Sequence, residues 1–140
     1  MKCSNLLIQL KDMSKQIIQT SKAPAPIGPY NQAVKANGFL FISGQVAFVA
    51  ATGELIQSGV KDEARQVMLN LEAILKEAHL TFEHVVKTSI FLSDMSLFAE
   101  VNEVYGSFFS GDYPARETVA VKGLPRGVNV EISMIAVEQL

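Results

Sequence analysis

Residues 128–137 read Val128-Asn129-Val130-Glu131-Ile132-Ser133-Met134-Ile135-Ala136-Val137, and their alternation decides the fold. A strand turns successive side chains to opposite faces, so Val128, Val130, Ile132, Met134 and Ala136 share one face. Asn129, Glu131 and Ser133 share the other, which Ile135 and Val137 continue, so that face is mixed and not simply solvent-like. Upstream, Glu117 to Lys122 reads as another strand, joined to this one by Gly123-Leu124-Pro125-Arg126-Gly127. A sheet of this kind offers one face to helices and a second that oligomerisation would cover.

The other elements follow from the same patterns. Lys15 to Thr20 reads as a short strand, and Lys22 to Tyr30 as a loop stiffened by Pro24, Pro26 and Pro29, which holds Tyr30 on a rigid arm. Asn31 to Ala36 and Phe39 to Ala50 read as strands around the tight turn Asn37-Gly38, and Thr52-Gly53 marks the next reversal. Val60, Ala64, Val67, Met68, Leu71, Ile74, Leu75 and Ala78 recur at helical spacing, with Asp62 and Glu63 in the first turn, where the helix dipole favours acids. Val85 to Leu92 has strand composition. Leu97, Phe98, Val101, Val104, Tyr105, Phe108 and Phe109 form a second helical stripe, with Asp94 or Ser96 as its cap.

At 140 residues and 49% hydrophobic, the chain can bury one core and is too short for two. The expected organisation is one domain over residues 13–140, with residues 1–12 a disordered extension upstream of a more ordinary beginning at Met13. A net charge of -2, with no run of lysines or arginines, gives no footprint for nucleic acid or an acidic membrane. The lone Cys3 cannot form an internal disulfide, which suits a reducing cytoplasm. Leu6 to Leu10 is interrupted by Gln9 and ended by Lys11-Asp12, so it does not read as an export signal. No stretch approaches the ~20 apolar residues of a membrane helix.

Few residues are candidates for chemistry. In Tyr113-Pro114-Ala115-Arg116-Glu117-Thr118 a stiffened turn delivers Arg116, a fixed fork of donors suited to a carboxylate or phosphate; taken alone it reads sooner as an ordinary surface arginine. Glu131 lies mid-strand on the mixed face, either salt-bridged or, once that face is covered, able to orient water or move a proton. Because the two strands are consecutive and the turn between them short, Arg116 and Glu131 are expected to be able to meet, with the register open. His79 and His84 have no partners at metal-ligand spacing, and His79 reads as a cationic cap at the end of the first helix. Ser43 in Ile42-Ser43-Gly44-Gln45 lacks a histidine base, and no phosphate loop or nucleophile elbow is present.

Taken in order, Ile27-Gly28-Pro29-Tyr30, Ile42-Ser43-Gly44-Gln45, Val86 to Leu92, Val101 to Tyr105, Phe109 to Arg116 and Val130-Glu131-Ile132 resemble the reactive-intermediate deaminase family, RidA (YjgF type), from about Ser14 to the C-terminus. The resemblance implies a chorismate-mutase-like α+β fold: a six-stranded mixed sheet with two helices on one face, assembled as a homotrimer with a central barrel and pockets between subunits. It implies a cofactor-independent 2-iminobutanoate/2-iminopropanoate deaminase, hydrolysing enamines and imines such as 2-aminoacrylate to 2-oxo acids and ammonia. Arg116 would clamp the substrate carboxylate and Glu131 would orient water or protonate, with Tyr30, Ser43, Gly44 and Asn102 lining the pocket. No metal, nucleic acid or membrane partner is implied.

Two positions depart from the family pattern. Thr118 stands where many members carry cysteine, which removes a thiol from the chemistry while leaving a hydroxyl or backbone N–H for the substrate carboxylate. His79 stands where members usually place glycine after the helix; a left-handed histidine costs roughly 1 kcal/mol, so a local shift is expected there. The alternative to an enzyme is a trimeric protein that binds a 2-oxo acid or amino acid without turnover. Family members described as ribonucleases or translation inhibitors suggest a third reading, which the charge does not favour, and a chaperone role is also reported in the family.

Overall fold

The computed structural model describes residues 14–140. The expected N-terminal extension and Cys3 lie outside them. Strands β1 (Gln16–Ile18), β2 (Ala33–Ala36) and β3 (Phe39–Gln45) are followed by helix α1 (Val60–Glu77), β4 (Val85–Leu92), α2 (Phe98–Gly106), β5 (Ala115–Ala120) and β6 (Val130–Val137). The strands form one six-stranded sheet in the order β1-β2-β3-β6-β4-β5. Among the described residues, only the β4–β5 pair is parallel.

Local chemistry explains the punctuation. Asn37 and Gly38 both take positive φ, 51° and 79°, as the two-residue turn between β2 and β3 requires. Asp94 begins the second helical segment as its sequence suggests, its carboxylate accepting from the Ser96 N–H at 2.8 Å. Helix α1 closes in a Schellman motif: the Leu80 N–H donates to Leu75 O at 2.8 Å and the His79 N–H to Lys76 O at 2.9 Å. That motif needs a left-handed residue, and His79 supplies it at φ 60°. The expected departure from left-handed geometry does not occur, because two backbone bonds offset the modest cost of a histidine there.

Both helices cover the face of the sheet formed by Ile132, Met134, Ala136, Thr88, Ile90 and Leu92, and α1 adds Val67, Met68, Leu71, Ile74 and Leu75, all fully buried or nearly so. One row of neighbours crosses this face from edge to edge: Ile18, Ala33, Ile42, Met134, Thr88 and Arg116. Asn70, buried within α1, donates to Val46 O at 3.2 Å and to Phe48 O at 2.9 Å, which pins the segment after β3 to the helix. Among the described residues, no helix covers the opposite face. There Ile17, Phe39, Phe41 and Val119 are each at least 40% exposed. Among the described residues, no helix is long and apolar enough to cross a membrane.

Candidate active site

Glu131 stands on the uncovered face of β6, opposite Phe91 of β4. Beside it the register of β3 slips between Ile42 and Gln45, a bulge that places Ser43 and Gly44 out of the regular ladder. Gly44 makes room for the carboxylate: a Cβ there would lie 2.9 Å from the Glu131 carboxyl carbon and 3.1 Å from its Cγ. Ser43 is fixed at both ends, its N–H donating to Gln32 O at 2.9 Å and its hydroxyl to Asn31 O at 2.6 Å. That hydroxyl is a structural donor with no base beside it.

The loop before β2 closes the other side. Gln32, 2% exposed, accepts from the Thr20 N–H at 2.7 Å, while its amide donates to Thr20 O, Ala23 O and Pro24 O at 3.0, 3.2 and 2.9 Å. One buried side chain thus holds the proline loop in place, and Tyr30 stands at its end, with the Ile27 N–H donating weakly to its hydroxyl at 3.4 Å. The cleft so formed has a volume of about 370 Å³ and is lined at one end by Tyr30, Gln32, Ser43, Gly44, Gln45 and Glu131. Burial pushes the Glu131 carboxyl above its ordinary 4.5, and no cation among the described residues pairs with it.

Arg116 lies in a separate recess of about 360 Å³ shared with Asn102, Tyr105, Gly106, Tyr113 and Pro114. Its guanidinium stacks over the Tyr105 ring at 5.0 Å and faces the Phe98 ring at 5.7 Å, so α2 supplies an aromatic shelf that aims it. Tyr105 is itself fixed, its hydroxyl bonded to Thr88 Oγ1 at 3.1 Å, and burial raises its pKa, which keeps it a protonated donor. No carboxylate among the described residues pairs with Arg116.

Strand β5 is a sheet edge, with consequences for Thr118. The Val121 N–H donates to Leu92 O at 2.9 Å, and alternation along a parallel pair then turns the amides of Arg116 and Thr118 toward the open edge. The Thr118 hydroxyl does the opposite: it is sealed from solvent and has no hydrogen-bond partner among the described residues. In this chain it is the backbone N–H of Thr118, not its hydroxyl, that an acid could reach.

Arg116 and Glu131 do not meet within the chain. Although consecutive, β5 and β6 are not neighbours: β6 inserts between β3 and β4, and β5 pairs with the far side of β4. Arg116 shares the helix-covered face with Thr88, whereas Glu131 lies on the uncovered face. The structure therefore gathers Tyr30, Ser43, Gly44 and Glu131 in one place, and Arg116 with Asn102 in another. The histidines belong to neither group. His79 completes the α1 terminus through its backbone, and the His84 ring accepts from the Thr81 N–H at 3.1 Å. Sequence reasoning missed Tyr105 and Phe98 as the arginine shelf because they read as core at helical spacing. It also missed Gln32, whose only sequence signal is a polar residue at the start of a strand.

Comparison with known proteins adds to this geometry. The family model described as Endoribonuclease L-PSP matches residues 20–138. A protein of Mus musculus named 2-iminobutanoate/2-iminopropanoate deaminase is 46% identical over 129 residues, spanning 92% of this chain and 96% of its own. The crystal structure of a putative endoribonuclease of Thermotoga maritima superposes with a TM-score of 0.88 at 42% identity, covering 91% of this chain and 100% of that one. RidA from an Antarctic Psychrobacter superposes with a TM-score of 0.84 at 46% identity, covering 87% and 98% respectively.

Proposed function

This chain belongs to the RidA family of Endoribonuclease L-PSP proteins, and we propose that it hydrolyses reactive enamines and imines to 2-oxo acids and ammonia without a cofactor. The observation that carries this reading is a pair of complementary, unpaired groups: a desolvated carboxyl at Glu131 and an aimed guanidinium at Arg116. Neither has a counter-ion among the described residues. A small imino acid offers its carboxylate to the guanidinium and an electrophilic carbon to a water held by the carboxyl.

The two groups can act on one substrate only if a second copy of the chain brings them together. We assign that role to a homotrimer in which the Arg116 recess of one copy faces the Glu131 cleft of the next, the sheets lining a central barrel. The uncovered sheet face supports this assembly, with its exposed Phe39, Phe41 and Ile17. So does a groove of about 490 Å³ on that face, which shares Tyr30 and Ser43 with the Glu131 cleft. A face of this character is stabilised by burial against another copy.

In the assembled site the Arg116 fork would grip the substrate carboxylate with two parallel hydrogen bonds, seconded by the edge amide of Thr118. Asn102 and Tyr30 would line the rim. An enamine first takes a proton on its terminal carbon and gives one up from its nitrogen, becoming the imine. Glu131 then accepts a proton from water as the water oxygen bonds to the imine carbon, and passes that proton to the nitrogen, giving a carbinolamine. In the collapse Glu131 takes the hydroxyl proton as the carbonyl forms and delivers it to the nitrogen as the C–N bond breaks and ammonia leaves. Most of the rate would come from positioning, and a carboxyl with raised proton affinity suits the shuttle. The test is hydrolysis of imines generated in place by an amino-acid oxidase and followed by semicarbazide trapping. Wild type should accelerate imine loss and Arg116→Ala should abolish the acceleration. Ligand binding with no acceleration by wild type would leave a binding protein instead.

A further inference from the structure

The cleft beside Glu131 is larger than a three- or four-carbon acid fills. Its volume of about 370 Å³ falls within the ~300–1,000 Å³ range of pockets that take drug-sized molecules. Away from the polar end its lining is apolar: Pro24, Ile27, Val46, Phe48 and Pro125. Phe48 is not loose. Asn70 holds its backbone carbonyl at 2.9 Å from inside α1, and the Arg126 guanidinium lies over its ring at 5.6 Å.

Arg126 reaches that position from a strained backbone. It sits at φ 60° in the turn after Pro125, a left-handed conformation that disfavours residues with a side chain. The guanidinium makes no ion pair among the described residues. A cation over an aromatic face holds the ring in one orientation.

From these features, and resting on the imine-hydrolysis reading above, we infer that the cleft selects 2-imino acids with bulky apolar side chains, with Phe48 as the specificity-determining wall and Arg126 as its positioning residue. With the imine carbon at Glu131, the side chain extends along Pro24 and Ile27 toward Phe48. Each buried methylene then contributes to transition-state binding, where one methylene discriminates roughly 10- to 200-fold in well-packed pockets.

The test compares kcat/KM for the imines of alanine, leucine and glutamate, generated by oxidases and trapped with semicarbazide. The leucine imine should exceed the alanine imine by about tenfold or more. Phe48→Ala should lower that ratio by about tenfold. Arg126→Gly relieves the backbone strain and so keeps the fold, yet it should lower the same ratio, by a smaller factor; a merely structural role would change both substrates alike. A ratio at or below one in wild type, or a ratio unmoved by both variants, overturns the inference. So does a preference for the glutamate imine, which would make Arg126 a ligand for a second carboxylate. Failure of the imine-hydrolysis reading itself would look different: no imine would be accelerated.

Discussion

The carboxyl of Glu131 occupies the space that a side chain at position 44 would need, its carbon 2.9 Å from where a Cβ would stand. The bulge in β3 delivers Gly44 to that point, so the glycine is there for close approach rather than for a turn. The atoms in the way are the end of a flexible side chain. Gly44→Ala should therefore displace the Glu131 carboxyl and lower kcat by about tenfold or more, the scale on which a misplaced proton shuttle is felt. The melting temperature should change little, as thermal unfolding beside steady-state kinetics would show.

The same carboxyl gives a pH dependence whose sign is fixed. Burial raises the Glu131 pKa above its ordinary 4.5, so between that value and the raised one the folded state holds more proton than the unfolded state. Stability contributed by this group is full below the unfolded value and is lost as pH rises through the folded one. Glu131→Gln should accordingly be more stable than wild type at neutral pH, with the difference vanishing below the ordinary glutamate range. Denaturant unfolding at a series of pH values measures it.

Tyr105 does two separable things, stacking under Arg116 at 5.0 Å and bonding Thr88 Oγ1 at 3.1 Å. Tyr105→Phe keeps the shelf and orphans the buried Thr88 hydroxyl, which should cost about 1–3 kcal/mol of stability with KM nearly unchanged. Tyr105→Leu removes the shelf as well and should raise KM several-fold. Equal KM for the two variants would show that the ring does not aim the arginine.

Thr118 presents the converse case, a hydroxyl already buried without a partner. Replacing it by the isosteric Val removes an unmet polar group, so Thr118→Val should raise stability by roughly 1 kcal/mol. Turnover should persist, because the proposed contact with substrate is the edge N–H and not the hydroxyl. A loss of activity in this variant would return the hydroxyl to the site.

Much of this was legible in the sequence where the signal is local. Val85–Leu92 forms the strand read from its composition, Asn37-Gly38 turns as the dipeptide demands, and the alternation of residues 130–137 separates a buried face from an open one. Strand order was not legible. Alternation tells which way a side chain points along its own strand and nothing about which strand lies beside it, so the insertion of β6 between β3 and β4 was hidden. With it was hidden the separation of Arg116 from Glu131 onto opposite faces. The residues that hold the site, Tyr105 under the arginine and Gln32 behind the proline loop, carry no motif because their role depends on partners far away in the chain.

The central claim is that Arg116 of one copy serves Glu131 of another, and subunit mixing tests it directly. Arg116→Ala and Glu131→Gln should each be inactive alone. Unfolded together in equal amounts and refolded as mixed trimers, they should recover about a quarter of wild-type imine hydrolysis, since a quarter of the interfaces in a closed ring would join an intact arginine to an intact glutamate. No recovery from correctly assembled mixed trimers would contradict the account, because it would mean that both residues must come from the same chain.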